Sequence, residues 1–228
     1  MDSRPGIVLQ ARLASTRLPA KALERIGDRT LIEQCLRRLL AGGVARVALA
    51  TTELPEDDAL CAEAARLDVP VHRGSATDVL GRMLEAAERF GFDPVVRATG
   101  DNPAVDIEAA GRALALRREC DADYVCEAGL PVGAAVEVVT REALCQAARE
   151  ARRADDREHV TTWIKRRRDL WTVAFPAAPG PLRRPDLRVT VDTPGDLAYV
   201  RALYARAGAD DPTLRALIEA ADQRLEVA

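Results

Sequence analysis

The sequence has no CxxC pair, and its two histidines, His72 and His159, lie far apart. Its five cysteines (Cys35, Cys61, Cys120, Cys126 and Cys145) are scattered and odd in number. Neither a zinc-type ligand set nor a disulfide framework follows from that spacing, and a reducing cytoplasm is the expected compartment. Long apolar runs are also missing. Nothing approaches the roughly 18 residues of a membrane span, and Met1-Asp2-Ser3-Arg4-Pro5 lacks the apolar core of a signal peptide. Charge of one sign is not in excess: 33 Lys and Arg face 36 Asp and Glu, a net charge of −3. That balance offers no global field for nucleic acid. The one dense basic cluster, Lys165-Arg166-Arg167-Arg168, reads as a solvated helix end. Neither a GxxxxGK[ST] phosphate loop nor a GxGxxG dinucleotide fingerprint occurs.

What is present fits one soluble domain: 228 residues, 48% hydrophobic and 30% charged, enough to bury a sizeable core. Short β-branched runs alternate with helical stretches. Strands are expected at Gly6–Gln10, Arg46–Thr51, Val69–His72 and Pro94–Ala98. Helices are expected at Thr30–Ala41, Pro55–Leu67, Thr77–Phe90 and Asp106–Arg118. The first helix would bury Leu31, Ile32, Leu36, Leu39 and Leu40 on one face. Runs such as VALA and VVRA barely alternate, as in parallel strands covered on both faces. The repeated βα units imply an α/β, mostly parallel sheet flanked by helices in three layers.

From about residue 120 the rhythm loosens. Strands are expected at Asp123–Cys126, Val136–Thr140, Leu170–Phe175 and Leu187–Val191, with helices at Glu142–Ala151 and Asp156–Arg167. Residues 176–185 (PAAPGPLRRP) read as a surface loop, because proline lacks a donor and fixes φ. The closing helices are Pro194–Ala207 and Asp211–Leu225.

Ligands of an open α/β sheet bind beyond the carboxyl ends of its strands. The segment after the first strand, Gln10 to Lys21, occupies that place and carries Arg12, Arg17 and Lys21. Cations spaced among small and hydroxylated residues suit a triphosphate, with arginine as a fork and lysine as a point charge. Leu18-Pro19 stiffens the loop. An exposed basic loop is the alternative.

The segment IVLQ followed by ARLASTRLPAKAL resembles the cytidylyltransferase family that includes the spore coat polysaccharide biosynthesis protein F group. It is also similar to the CMP-Kdo and CMP-sialic acid synthetases. The resemblance continues, in order, through His72-Arg73-Gly74-Ser75 with Asp78-Val79-Leu80, then Val96 to Pro103 (VRATGDNP), Asp156 to Thr161, and Val191 to Leu197. It spans residues 6–200.

The resemblance implies a Rossmann-like, nucleotide-diphospho-sugar transferase-like fold. It also implies a Mg²⁺-dependent cytidylyltransferase that transfers CMP from CTP to an acceptor oxygen of a sugar acid, phosphonate or phosphate. Arg12, Arg17, Lys21 and Asp101 would be catalytic. Gln10, Ala11, Arg12, Ser15, Lys21, Arg73, Gly74, Ser75, Thr99 and Gly100 would hold the nucleotide. Asp101 and Asp192 would hold Mg²⁺. As residues alone, Asp101 also fits a simple turn. Asp192 also fits a charge favouring the next helix, for which Thr193, Pro194 and Asp196 already supply a cap. Glu137, Arg157 and His159 would face the acceptor, with His159 able to serve as a base. His72 reads as packing, and Arg73 equally as a ligand contact or a surface ion pair.

Related enzymes are often homodimers, and no nucleic-acid or membrane partner is expected. The chain departs from the family at Ala20, where glycine usually precedes the lysine, at Ala135, where an aspartate is common, and at Asn102. A glycosyltransferase of similar fold and a non-catalytic nucleotide-binding protein remain as alternatives.

Overall fold

A computed structural model describes residues 4–223. The first strand, β1 (Arg4–Gln10), is the axis of the molecule: Ile7, Val8 and Leu9 are fully buried because both of its faces are covered. It is followed by a short hairpin, β2 (Arg25–Ile26) and β3 (Arg29–Thr30), whose two-residue strands gave no sequence signal. Then come α1 (Leu31–Ala41), β4 (Arg46–Thr52), α2 (Asp58–Ala65), β5 (Val71–Gly74), α3 (Val79–Phe90) and β6 (Phe92–Thr99). The second half holds α4 (Ala109–Glu119), β7 (Tyr124–Cys126), β8 (Glu137–Val139), α5 (Arg141–Glu150), α6 (Ala154–Glu158), α7 (Thr162–Arg166), β9 (Val173–Ala174), α8 (Pro194–Ala207) and α9 (Leu214–Asp222).

Seven strands form the main sheet in the order β5-β4-β1-β6-β8-β7-β9. β8 alone runs antiparallel to its neighbours. Alternate side chains of each strand enter two separate cores. Ile7, Leu9, Val96 and Ala98 pack with α1, α4, α8 and α9, whereas Val8, Ala48, Val95 and Val139 pack with α3, α5 and α7. The layers are therefore helix, sheet and helix, as the unbroken apolar runs implied.

The differences from the sequence-based expectations are local. Thr30 is the cap of α1 rather than its first residue, and Leu40 points outward at 40% exposed. The helix expected from Thr77 begins at Val79, with Asp78 capping α3 by accepting from Gly81 N at 2.9 Å. The expected helix 55–67 begins as a 3-10 turn at Pro55–Asp57. The strand expected at 187–191 is a single bridge between Val132 and Arg188, because the backbone there pairs with two different loops. The helix expected at 156–167 is broken between α6 and α7, where buried Val160 has a φ of 50°. Of the last expected helix, Leu214–Asp222 is helical, while residues 224 and 225 lie outside the described residues.

Candidate active site

The loop after β1 is tied down by the protein itself. Ala11 N donates to Ala50 O (3.2 Å), Leu13 N to Asp57 Oδ1 (2.8 Å), and Ala20 N back to Leu13 O (3.1 Å). Asp57 is buried and also accepts from the Thr51 and Thr52 hydroxyls, so a carboxylate absent from the sequence-based assignment pins the loop to the end of β4. The loop closes at Ala20, whose φ of 54° lies in the left-handed region. The expectation that this position favours glycine is physical: a Cβ there costs about 1–2 kcal/mol.

That turn sends Lys21 back across the strand ends. Its ammonium, 13% exposed, donates to Asp101 Oδ2 (3.1 Å), Asp192 Oδ1 (3.0 Å) and the Val191 carbonyl (2.7 Å). Asp101 lies just beyond β6, with Oδ1 accepting from Thr99 Oγ1 at 2.7 Å. Gly100 permits this approach, since a Cβ there would stand 2.7 Å from the Ala11 Cβ. Asp192 precedes α8, where Thr193 and Asp196 form a full capping box behind Pro194. The cap thus leaves Asp192 free, and it gathers Lys21, Arg17 (2.9 Å) and Arg188 (2.5 Å). Burial alone would raise the Asp192 carboxyl, but the Lys21 hydrogen bond and the charges of Lys21, Arg17 and Arg188 hold it below the usual carboxylate range.

The cleft over this pair has a volume of about 340 Å³. On its other wall Arg12 donates to the Ala76 carbonyl (2.8 Å) and to Glu158 Oε1 (2.7 Å). His159 and Arg97 also reach the cleft, His159 immediately before the turn at Val160. Gln10, Ala11, Arg12, Ser15, Arg17 and Lys21 from the first loop line it, as do Thr99, Gly100, Asp101, His159 and Asp192.

Five predicted site residues do not line it. Arg73 turns away, donating to Thr52 O (2.9 Å), Leu54 O (2.9 Å) and Asp58 (2.5 Å), because Asp58 at the start of α2 supplies the nearer anion. Gly74 packs against His72, Glu85 and Arg82, and the Ser75 hydroxyl accepts from Thr77 N and Asp78 N. His72 is paired with Glu85 at 3.1 Å, a packing position as read. Arg157 is committed to Asp78 and the Ala148 carbonyl, and so clamps α6 to the start of α3.

Glu137 is the clearest correction. Its Oε1 accepts from Tyr124 (2.5 Å), Thr161 (2.9 Å) and Lys165 (3.1 Å), and its Oε2 from Arg97, so the carboxylate is engaged by four donors of the protein and does not line the cleft. Burial would raise its carboxyl, but Arg97, Lys165 and these hydrogen bonds hold it down to about 2. Its effect on the cleft passes through Arg97, whose Nε donates to Gln10 Oε1 at 3.0 Å.

Sequence reasoning missed Arg82 and Arg97 as cleft residues. Arg97 stands two residues before Thr99 on one strand face, a period-2 signal. Arg82 interrupts the apolar stripe of α3, which is equally visible in the sequence.

A sequence model described as cytidylyltransferase matches residues 6–220 of this chain. The chain belongs to the cytidylyltransferase family. The spore coat polysaccharide biosynthesis protein SpsF of Bacillus subtilis is 33% identical over 207 residues, covering 88% of this chain and 86% of that protein. A cytidylyltransferase structure from Leptospira borgpetersenii superposes with a TM-score of 0.90 at 26% identity, over 99% of this chain and 96% of the other. A CMP:2-keto-3-deoxy-manno-octonic acid synthetase solved with CTP shares the fold, with a TM-score of 0.65 at 20% identity over 89% and 99% of the two chains. The chain is thus an enzyme of the nucleotidyltransferase class, with the Rossmann-like architecture of that group.

The donor set around Lys21 suits a hard divalent cation. Two carboxylates already share one cationic group, the Lys21 ammonium, which sits where a positive charge between them is favourable. Among the described residues no group of three or more His, Cys, Asp or Glu side chains converges on a metal position. Two carboxylates are a number that Mg²⁺ can take from a protein, because it keeps several waters and draws further oxygens from phosphates.

Proposed function

We propose that this cleft transfers CMP from CTP to an acceptor oxygen. The acceptor oxygen forms the new bond to the α-phosphorus as the bond to the bridging oxygen breaks, and pyrophosphate leaves with the electron pair. The observation that carries this reading is the Lys21 ammonium between Asp101 and Asp192 at the carboxyl ends of the strands. A charged loop with no such carboxylate pair would bind phosphate without organising its transfer. Asp101 and Asp192 would hold Mg²⁺, which when bound neutralises phosphate charge and favours departure of pyrophosphate.

The remaining roles belong to the chain's own groups. Arg12, Arg17, Lys21 and the Ser15 region bind the phosphates, with the Lys21 ammonium already held at the strand ends before the reaction. Arg17, exposed and among the described residues held only by Asp192, can exchange that carboxylate for a phosphate oxygen. Gln10, Ala11, Thr99 and Gly100 shape the floor beneath the nucleotide. His159, which lines the cleft at the end of α6, would face the acceptor. The name of the Bacillus relative supports a glycan precursor as acceptor, and a cytoplasmic site of action follows from the need for CTP. No helix of the described residues is long and apolar enough to cross a membrane.

Pyrophosphate release, measured with each of the four NTPs against sugar acids, phosphonates and phosphosugars, tests the reading. CTP with one acceptor class should support release that chelation by EDTA abolishes. Turnover of a nucleotide-sugar without pyrophosphate release would replace the proposal with glycosyl transfer.

A further inference from the structure

We propose that Arg82 binds an anionic oxygen brought into the cleft by a ligand, either a nucleotide phosphate or an acid group of the acceptor. This rests on the nucleotidyl-transfer reading of the same cleft. Arg82 lies in the first turn of α3, on the stripe of Val79, Met83 and Ala86 that packs into the core, and is 2% exposed. A guanidinium so placed has lost its hydration, and buried charges are ordinarily paired.

Every other cation discussed on the cleft has a carboxylate. Arg12 is paired with Glu158, Arg17 with Asp192, Lys21 with Asp101 and Asp192, and Arg97 with Glu137. Among the described residues Arg82 has none. Its Nη1 donates to the Ser75 carbonyl, and its Nε has no partner. Burial, and then the neighbouring charge of Arg12, push the guanidinium below the ordinary arginine range, while Glu158, Asp57 and Asp78 act in the other direction. Arg12 and Arg82 together have only Glu158 in ion-pair contact, so this wall lacks a negative charge that a ligand can supply.

Arg38 shows the contrast. It is equally buried and, among the described residues, also has no carboxylate; one of its nitrogens, Nη2, is likewise without a partner, but it spends Nε and Nη1 on the Val105 and Pro212 carbonyls and does not line the cleft. Arg38 ties chain segments together. Arg82, with one carbonyl partner and a place on the cleft wall, has bonding capacity left for a ligand.

Equilibrium binding of CTP, cytidine, pyrophosphate and methylphosphonate, measured calorimetrically on wild type, Arg82→Met and Arg82→Gln, tests this, together with the Tm of each free protein. Loss of a hydrogen bond to a charged group should weaken anion binding by roughly ten- to a hundredfold and leave cytidine binding unchanged. The free Arg82→Met protein should not melt lower than wild type, because an unpaired buried charge has been removed. Loss with CTP and pyrophosphate assigns the oxygen to the nucleotide, and loss with methylphosphonate assigns it to the acceptor.

Arg82→Gln keeps an uncharged polar group at the depth of the Arg82 Nε, so it removes the charge without making the site apolar and serves if Arg82→Met does not fold. Anion affinities equal to wild type in Arg82→Gln would overturn the proposal. So would a lowered Tm in Arg82→Met with unchanged affinities. A wild type that binds pyrophosphate or methylphosphonate but no CTP would contradict the cytidylyl-transfer reading, and the anion comparison would still decide Arg82.

Discussion

Glu137→Gln removes the carboxylate that neutralises Arg97 and Lys165 beneath the cleft, while retaining an oxygen for Tyr124 and Thr161. The carboxyl is held at about 2 against an ordinary 4.5. At ~1.4 kcal/mol per tenfold change in proton affinity, that fall corresponds to about 3 kcal/mol of stability at neutral pH. Leaving a buried charge unpaired costs about 3–5 kcal/mol in other proteins, which agrees. Because the folded value is depressed, the contribution is complete above the unfolded value near 4.5 and is lost as pH falls through about 2. Urea unfolding of both proteins from pH 7 to pH 3 measures it. The difference should be about 3 kcal/mol at pH 7, nearly as large at pH 5, and about half as large by pH 3. A difference below ~1 kcal/mol at pH 7, the range of an exposed pair, would refute the buried network. So would a difference that stays constant with pH.

Ala20→Gly should relieve the left-handed strain at φ 54°. The relief of about 1–2 kcal/mol exceeds the extra backbone entropy of glycine, about 0.5–1 kcal/mol, so Tm should rise by roughly 1–4 °C. A lower Tm would contradict the strain argument. Tyr124→Phe deletes a hydrogen bond to an ionised carboxylate and should cost about 2 kcal/mol. Combined with Glu137→Gln, the loss should fall well short of additive, and full additivity in urea melts would separate the two residues. Asp101→Asn and Asp192→Asn should each reduce pyrophosphate release by more than tenfold with little change in circular dichroism, and near-wild-type turnover in either would remove that residue from the site.

The chemistry was most legible where it depends on short stretches of chain. The loop from Gln10 to Lys21, the aspartate after a buried strand and the Thr193 capping box are each local, and the structure has them where the sequence implied. Even the problem at Ala20 was local, since handedness is a property of one residue. What stayed hidden depends on tertiary neighbours. Nothing near Arg73 in sequence says that Asp58 will meet it, and nothing near Glu137 announces Arg97 on the adjacent strand. The antiparallel direction of β8 was invisible because direction leaves no mark on a strand of three residues. The break at Val160 overrode helix propensity, because residues 159 and 161 are claimed by different environments: the cleft and the Glu137 network.

We propose that Asp101 and Asp192, joined through Lys21, form the metal-triphosphate site. Calorimetric CTP affinity with and without Mg²⁺, in wild type, Asp101→Asn and Asp192→Asn, tests it without knowledge of the acceptor. Mg²⁺ should tighten CTP binding to wild type, and both variants should lose that enhancement while retaining metal-free binding. An undiminished Mg²⁺ enhancement in both variants would contradict the account.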